Sequence, residues 1–187
     1  MMHHDNKTTL FGFWVYLMTD FILFAGLFAV YIVFRGSAVS PAGTTLFSAP
    51  YVLIETIALL TSSFTCGFAL VASQRHKVRE MLLFLVITFA LGALFVGMEV
   101  FEFAKLVSEG YGPSASGFLS SYFALVGTHG LHVTIGLLWL LALMFAVSFQ
   151  GLTSASARKV ALFALFWHFL DVIWIFIFTI VYLFGFL

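Results

Sequence analysis

VALFALFWHFLDVIWIFIFTIVYLFGF, residues 160–186, is a run in which His168 and Asp171 are the only acidic or basic residues. As a helix rising 1.5 Å per residue, this run would be about 40 Å long. The hydrocarbon core of a bilayer is about 30 Å thick, and about 20 apolar residues cross it. The run is therefore long enough and apolar enough to span a membrane as one helix.

Five segments of the chain share this character, and the other four are residues 11–34, 51–73, 81–103 and 118–149. Hydrocarbon offers no hydrogen-bond partners, so the backbone of each span must satisfy itself as a helix. Short segments rich in glycine, proline or charge separate the spans. The sequence predicts an all-α fold, an integral membrane bundle of five transmembrane helices at residues 11–187, preceded by a polar tail at residues 1–10.

The composition agrees with a membrane protein and excludes several other classes. Hydrophobic residues make up 63% of the chain and charged residues 9%, whereas soluble domains carry about 25% charged residues. The formal net charge is zero, so we expect no nucleic acid partner. Cys66 is the one cysteine, so the chain cannot form an internal disulfide. The surface of the bundle must face membrane lipids or other protein.

The distribution of lysine and arginine predicts the orientation of the bundle, because cytoplasmic loops carry an excess of these residues. Two basic residues lie on the side where the first span ends, Arg35 and Lys105. Six lie on the side of the N-terminus: Lys7, Arg75, Lys77, Arg79, Arg158 and Lys159. We therefore expect a cytoplasmic N-terminus and a periplasmic C-terminus.

Ionisable residues inside the spans are the candidate functional residues, because each costs about 2.5–3.5 kcal/mol as a charge at the centre of a membrane helix. Six of them form three pairs at a spacing of three residues, which places each pair on one helix face. Tyr16 precedes Asp20 by one turn, where its hydroxyl can reach the carboxyl. The ionisable candidates are Asp20, Glu55, Glu99, Glu102, His129, His132, His168 and Asp171.

Three chemical interpretations of these residues are open. Carboxylate and histidine pairs on helix faces can bind a metal ion, as in di-iron bundles. They can also form interhelical hydrogen bonds, or move protons through the membrane. By depth, His132 is the expected partner of His168 and Asp171, and Asp20 lies about 14 Å into its span. The spacing alone is a weak metal motif, so we expect no metal site in this chain.

Small residues four apart predict where helices approach each other closely. The aromatic residues of the last span are expected to serve packing and lipid contact. The small pairs are Ala25/Ala29, Ser63/Gly67, Ala93/Gly97 and Gly130/Thr134.

Four strings in the spans carry a resemblance to a known family. GTHGLHVTIG at 127–136 and WHFLDVIWIF at 167–176 resemble the signatures of the last two spans of subunit III of haem–copper terminal oxidases. LMTDFILF at 17–24 and GMEVFEF at 97–103 resemble two further stretches of that subunit. FGFWVYLM at 11–18 and GME at 97–99 are more similar to its cytochrome o ubiquinol oxidase branch. The likeness covers almost the whole chain.

The resemblance implies that the chain is a non-catalytic subunit of a respiratory complex in the bacterial inner membrane. That complex would reduce oxygen to water and pump protons. Haems and copper would belong to the partner catalytic subunit, subunit I, with subunits II and IV as further partners and ubiquinol as the donor at the level of the complex. This chain would hold no cofactor, bind phospholipid, and support assembly, stability and proton uptake. Asp20 matches the family's intramembrane carboxyl, which is usually glutamate.

Two other functions fit the same spans. A five-span subunit III of a cytochrome c oxidase would share the fold and differ in the electron donor of its complex. A small stand-alone transporter is the more distant alternative, and such proteins typically show broken helices and inverted repeats. The sequence shows neither feature.

Overall fold

The fold is a bundle of five long helices, seen in a computed structural model that describes residues 2–35 and 49–183. The last helix continues into a π-helical turn, Phe178–Leu183. No strand occurs within these two ranges. The helices are α1 (Met2–Arg35), α2 (Ala49–Gln74), α3 (Val78–Ser108), α4 (Gly117–Gln150) and α5 (Ser154–Ile177).

The five predicted spans are confirmed, since five helices of the described chain are long and apolar enough to cross a membrane. The first helix begins at Met2, within the segment predicted to be a polar tail. No glycine or proline occurs before Gly12, so a helix nucleated in the apolar span can extend backwards at little cost. The break predicted between the first two spans and the end of the last span at residue 186 lie largely outside the described residues.

Capping residues mark the ends of the helices on either side of the short connections. The side chain of Ser116 accepts a hydrogen bond from the backbone N–H of Leu119 at the start of α4. The side chain of Thr153 does the same for Ser156 at the start of α5, which therefore begins six residues before its predicted span. Gly151 follows α4 with a φ of 71°, a conformation that favours glycine.

Helix α5 occupies a central place, because it packs against α1, α2 and α4. Helices α2 and α3 form the most extensive pair, and α4 also contacts α1 and α3. Trp167 and Trp174 of α5 are among the largest fully or almost fully buried side chains. Their burial agrees with the packing role expected for aromatic residues of the last span.

Glycines decide where the helices touch, although only in part at the predicted positions. A Cβ on Gly92 or Gly136 would come within 2.9 Å of the Trp167 ring, so both glycines make room for that indole. Gly130 is a correctly predicted close approach, because it lies against the carboxyl of Glu99. Within this chain no helix approaches Gly67 or Gly97 closely, since a Cβ there would meet no neighbouring atom within 4 Å.

Candidate functional site

The polar side chains inside the bundle fall into separate groups rather than one centre. We call Asp20 and His132 the central pair. The triad consists of Ser63, His168 and Asp171, at the contact of α2 and α5. The carboxyl cluster consists of Glu55, Glu99 and Glu102, towards the end of the bundle where α3 ends.

The central pair joins α1 to α4. Oδ2 of Asp20 lies 3.7 Å from Nε2 of His132, and Nδ1 of His132 lies 2.8 Å from the carbonyl oxygen of Thr128. A carbonyl can only accept, so Nδ1 is the donor and carries a proton. Nε2 is left facing Oδ2 of Asp20, so one proton shared by these two atoms would join the pair by a hydrogen bond and leave it without net charge.

The surroundings of the central pair are partly aromatic. Asp20 is 7% exposed, and the ring of Phe24 lies 5.4 Å from that of His132, centroid to centroid. Tyr16 interacts with the Asp20 carboxyl from one turn earlier, as the spacing suggested, and is itself 45% exposed. At 3.7 Å the central pair is slightly too long for a direct hydrogen bond, so a small movement of either side chain makes or breaks it.

His129 lies one turn before His132 on α4 but takes a different role. Its Nε2 donates to the carbonyl oxygen of Leu170 on α5 over 3.2 Å, so its Nδ1 keeps a lone pair when the ring is neutral. That Nδ1 has no hydrogen-bond partner among the described residues. The rings of Phe24, Phe95 and Trp174 surround the imidazole. His129 is therefore a buried neutral link between α4 and α5.

The carboxyl cluster brings together three acids from α2 and α3. All three are buried, and Glu55 and Glu99 both interact electrostatically with Glu102. Within the described part of the chain, neither oxygen of Glu55 has a hydrogen-bond partner, nor does Oε2 of Glu99. Three charges so close together in a low-dielectric interior are costly, so the cluster holds protons.

Two tyrosines extend the carboxyl cluster to α4 and to the π-helical turn that follows α5. The hydroxyl of Tyr182 lies 3.4 Å from Oε2 of Glu102 and 2.9 Å from the hydroxyl of Tyr122. Both tyrosines are buried. Because one hydroxyl can donate while it accepts, Tyr182 links Glu102 to Tyr122. Neither tyrosine was predicted as a site residue from the sequence, because both lie near span ends, where tyrosine is common.

The triad corrects the partner predicted for His168. Nδ1 of His168 lies 2.6 Å from Oγ of Ser63, and the same hydroxyl interacts with Asp171. His132 instead faces Asp20. The prediction that His168 pairs with His132 was wrong, because equal depth does not place two side chains on facing sides of their helices.

Two tryptophans strengthen the same contact of α2 and α5. The indole N–H of Trp167 donates to Oγ of Ser62 over 3.0 Å, and that of Trp174 donates to Oγ1 of Thr56 over 3.0 Å. These hydroxyls were missed in the sequence. The sequence did hold part of the information, since Trp167 and Trp174 are seven residues apart and therefore lie on one face of α5.

The hypothesis of a metal site has no geometric support. Among the described residues, no three histidine, cysteine, aspartate or glutamate side chains lie close enough to hold one metal ion. His129 and His132, a pair on α4, turn to a backbone carbonyl on α5 and to a carboxyl on α1. The arrangement favours interhelical contacts and shared protons. The absence of metal and haem from the isolated chain stays a prediction.

Comparisons with known proteins all find similarity to subunit III of respiratory oxidases. A sequence model of the family described as cytochrome c oxidase subunit III matches residues 3–186. Cytochrome bo(3) ubiquinol oxidase subunit 3 of Pseudomonas putida is 51% identical over 184 residues, which cover 98% of this chain and 89% of that protein. Its counterpart in Pseudomonas aeruginosa is 50% identical over 98% of this chain and 88% of its own length. A probable quinol oxidase subunit 3 of Staphylococcus saprophyticus is 44% identical, over 97% and 92%.

Proposed function

Since this chain belongs to the cytochrome c oxidase subunit III family, we propose that it acts as the non-catalytic subunit III of a haem–copper quinol oxidase. The observation that carries this proposal is the 51% identity, over nearly the full length of both chains, to a subunit of a ubiquinol oxidase. The chain is a multi-pass protein of the bacterial inner membrane. Its complex would reduce oxygen to water and pump protons, with haems and copper in the catalytic subunit I.

Stabilisation of the complex is the first part of this role. The polar side chains of the bundle engage neighbouring helices, as in the bonds of Trp167 to Ser62 and of His129 to the Leu170 carbonyl. Hydrogen bonds between membrane helices contribute about 0.6 kcal/mol each on average. Several of them together favour a rigid scaffold, against which subunits I, II and IV can assemble.

Proton uptake is the second part, and the central pair is its best candidate. Oδ2 of Asp20 faces Nε2 of His132, so a proton that moved from one to the other would leave the net charge of the pair unchanged. Intramembrane carboxyls and histidines commonly serve proton relays. We propose that Asp20 supports proton delivery to the catalytic subunit without taking part in oxygen reduction.

Phospholipid binding is the third part. A groove of about 330 Å³ lies between α1 and α5, lined by Phe21, Phe28, Ala29, Ile173, Phe176 and other apolar side chains. An acyl chain has the matching chemistry, because such a surface offers no hydrogen bonds to a polar ligand. We propose that a lipid tail occupies this groove in the membrane.

The electron donor separates the two related functions. The family name refers to cytochrome c oxidase, whereas the similar proteins above are named as quinol oxidase subunits. Those names favour ubiquinol over cytochrome c as the electron donor of the complex. The hypothesis of a stand-alone transporter has no support, because the chain belongs to a family of oxidase subunits.

The test is purification of the tagged chain from its native membrane in a mild detergent. We expect haem-containing subunits to accompany it, visible in the optical spectrum, and the complex to consume oxygen with ubiquinol. Oxygen uptake with reduced cytochrome c and none with ubiquinol would support the cytochrome c oxidase alternative. A chain recovered free of any haem protein would contradict the assignment to an oxidase.

A further inference from the structure

A groove with polar groups in its wall crosses the outer surface of α2 and α5. It has a volume of about 490 Å³ and is lined by Leu60, Ser63, Phe64, Gly67, Phe68, Val71, His168 and Asp171. His168 is exposed, although it is the fifteenth of the 30 residues of its span. An ionisable group at the middle of a membrane span faces the bundle interior, water or another protein rather than lipid. This groove therefore needs an occupant.

The hydrogen bonds of the triad define what the occupant must offer. Oγ of Ser63 lies 2.6 Å from Nδ1 of His168 and interacts with the Asp171 carboxyl. Both contacts are satisfied when the single Ser63 proton points to the carboxyl and Nδ1 of His168 is the donor to Oγ. Nε2 of His168 then keeps a lone pair, whereas Oδ1 of Asp171 is buried and has no partner among the described residues. The exposed His168 thus presents an acceptor to the groove, and an occupant that satisfies it brings a hydrogen-bond donor.

The shape of the groove indicates what kind of molecule brings that donor. The wall on α2 runs from Leu60 to Val71, about 16 Å at 1.5 Å per residue, which is three helical turns. Ser63 and Gly67 form a small pair in its floor, and a Cβ on Gly67 would meet nothing within 4 Å. Small pairs of this kind let two membrane helices approach closely. Phe64, which is 67% exposed, stands at its edge.

We propose that this groove is the docking site of a transmembrane helix from another subunit, and that this helix places a donor side chain against Nε2 of His168. The donor is a hydroxyl, amide or indole group. A phospholipid head group does not reach mid-membrane, and an acyl chain has no donor. The proposal rests on the function proposed above, because it needs a partner subunit.

Filling the groove tests the proposal in the whole complex. Gly67→Leu in the tagged chain should lower the recovery of the partner subunit about tenfold, the effect of a 1.4 kcal/mol loss of affinity. Gly97→Leu is the matched control, since Gly97 also borders open space but lies on α3, and it should leave recovery within about twofold. Equal recovery with both variants would overturn the proposal. Recovery of haem-containing subunits with the wild-type chain tests the proposed function separately.

A photo-crosslink identifies the occupant even if Gly67→Leu fails to fold. Benzoylphenylalanine in place of Phe64 keeps an aromatic ring at the edge of the groove. After irradiation of the assembled complex, mass spectrometry should find it joined to a transmembrane segment of another subunit. Adducts with phospholipid or quinone alone, or no adduct at all, would overturn the proposal. If the wild-type chain binds no haem protein either, the proposed function fails as well.

Discussion

Asp20 on α1 and His132 on α4 face each other in the middle of the bundle, with Oδ2 and Nε2 3.7 Å apart. The contact joins the first helix to the fourth, and the Thr128 carbonyl holds the imidazole in one orientation by accepting from Nδ1. The imidazole therefore presents Nε2 to the Asp20 carboxyl, and a small movement of either side chain brings the two atoms within hydrogen-bond distance.

We expect Asp20→Asn to leave the initial rate of oxygen reduction intact and to weaken proton pumping or shorten the life of the enzyme during turnover. The asparagine amide can still donate to Nε2 of His132, but it cannot exchange a proton. Oxygen uptake and proton release by the reconstituted complex measure the two effects. Asp20→Glu, which keeps a carboxyl, is the control and should pump.

Two results with Asp20→Asn would contradict this prediction. Immediate loss of oxygen reduction in a correctly assembled complex would mean that the chain takes part in catalysis. Unchanged pumping and unchanged lifetime would leave Asp20 as a hydrogen-bonded structural residue.

The bond between Trp167 and Ser62 should appear as a coupling energy. In a double-mutant cycle of Trp167→Phe and Ser62→Ala, we expect about 0.6 kcal/mol, and at most about 1.7 kcal/mol. SDS-induced unfolding of the purified chain in mixed micelles supplies the free energies. Thr61 is the control, because its hydroxyl bonds its own helix at the Ile57 carbonyl. A cycle with Thr61→Ala should give no coupling, and equal values in both cycles would refute the bond.

The glycines of α3 give a matched pair of substitutions. Gly92→Ala places a methyl group 2.9 Å from the Trp167 ring, which the bond to Ser62 holds in place, whereas Gly97→Ala enters open space. Both changes gain the same helix propensity. We expect the free energy of unfolding of Gly92→Ala to be about 1–3 kcal/mol lower than that of Gly97→Ala, because overpacking costs about this much. The same unfolding measurement applies, and equal stabilities would show that the Trp167 ring moves freely.

The orientation of the bundle can be tested by labelling. We expect an engineered cysteine at 37–49 to react with an impermeant maleimide from the periplasmic side of intact cells. The single native cysteine, Cys66, is 1% exposed and should not react, so it need not be removed. Reaction only after the cytoplasmic side is opened would reverse the topology that the basic residues predict.

The sequence by itself determined the five helices and the class of the protein. A run of about 20 apolar residues is a local property, and hydrocarbon forces its backbone into a helix whatever its neighbours are. Spacing alone also placed Glu99 with Glu102, and His168 with Asp171, on common helix faces. The family resemblance, confirmed by the match over residues 3–186, rested on strings within these spans.

Only the tertiary structure decided which side chains meet. A helix that is apolar all round carries no pattern that marks its inner face, so depth alone suggested that His168 would meet His132. The rotation of α5 depends instead on the Trp167 indole, which fits between Gly92 and Gly136 and bonds to Ser62. That packing turns His168 towards Ser63 on α2 and leaves His132 to Asp20, because contacts between helices set the rotation of each about its axis and hydrophobicity does not.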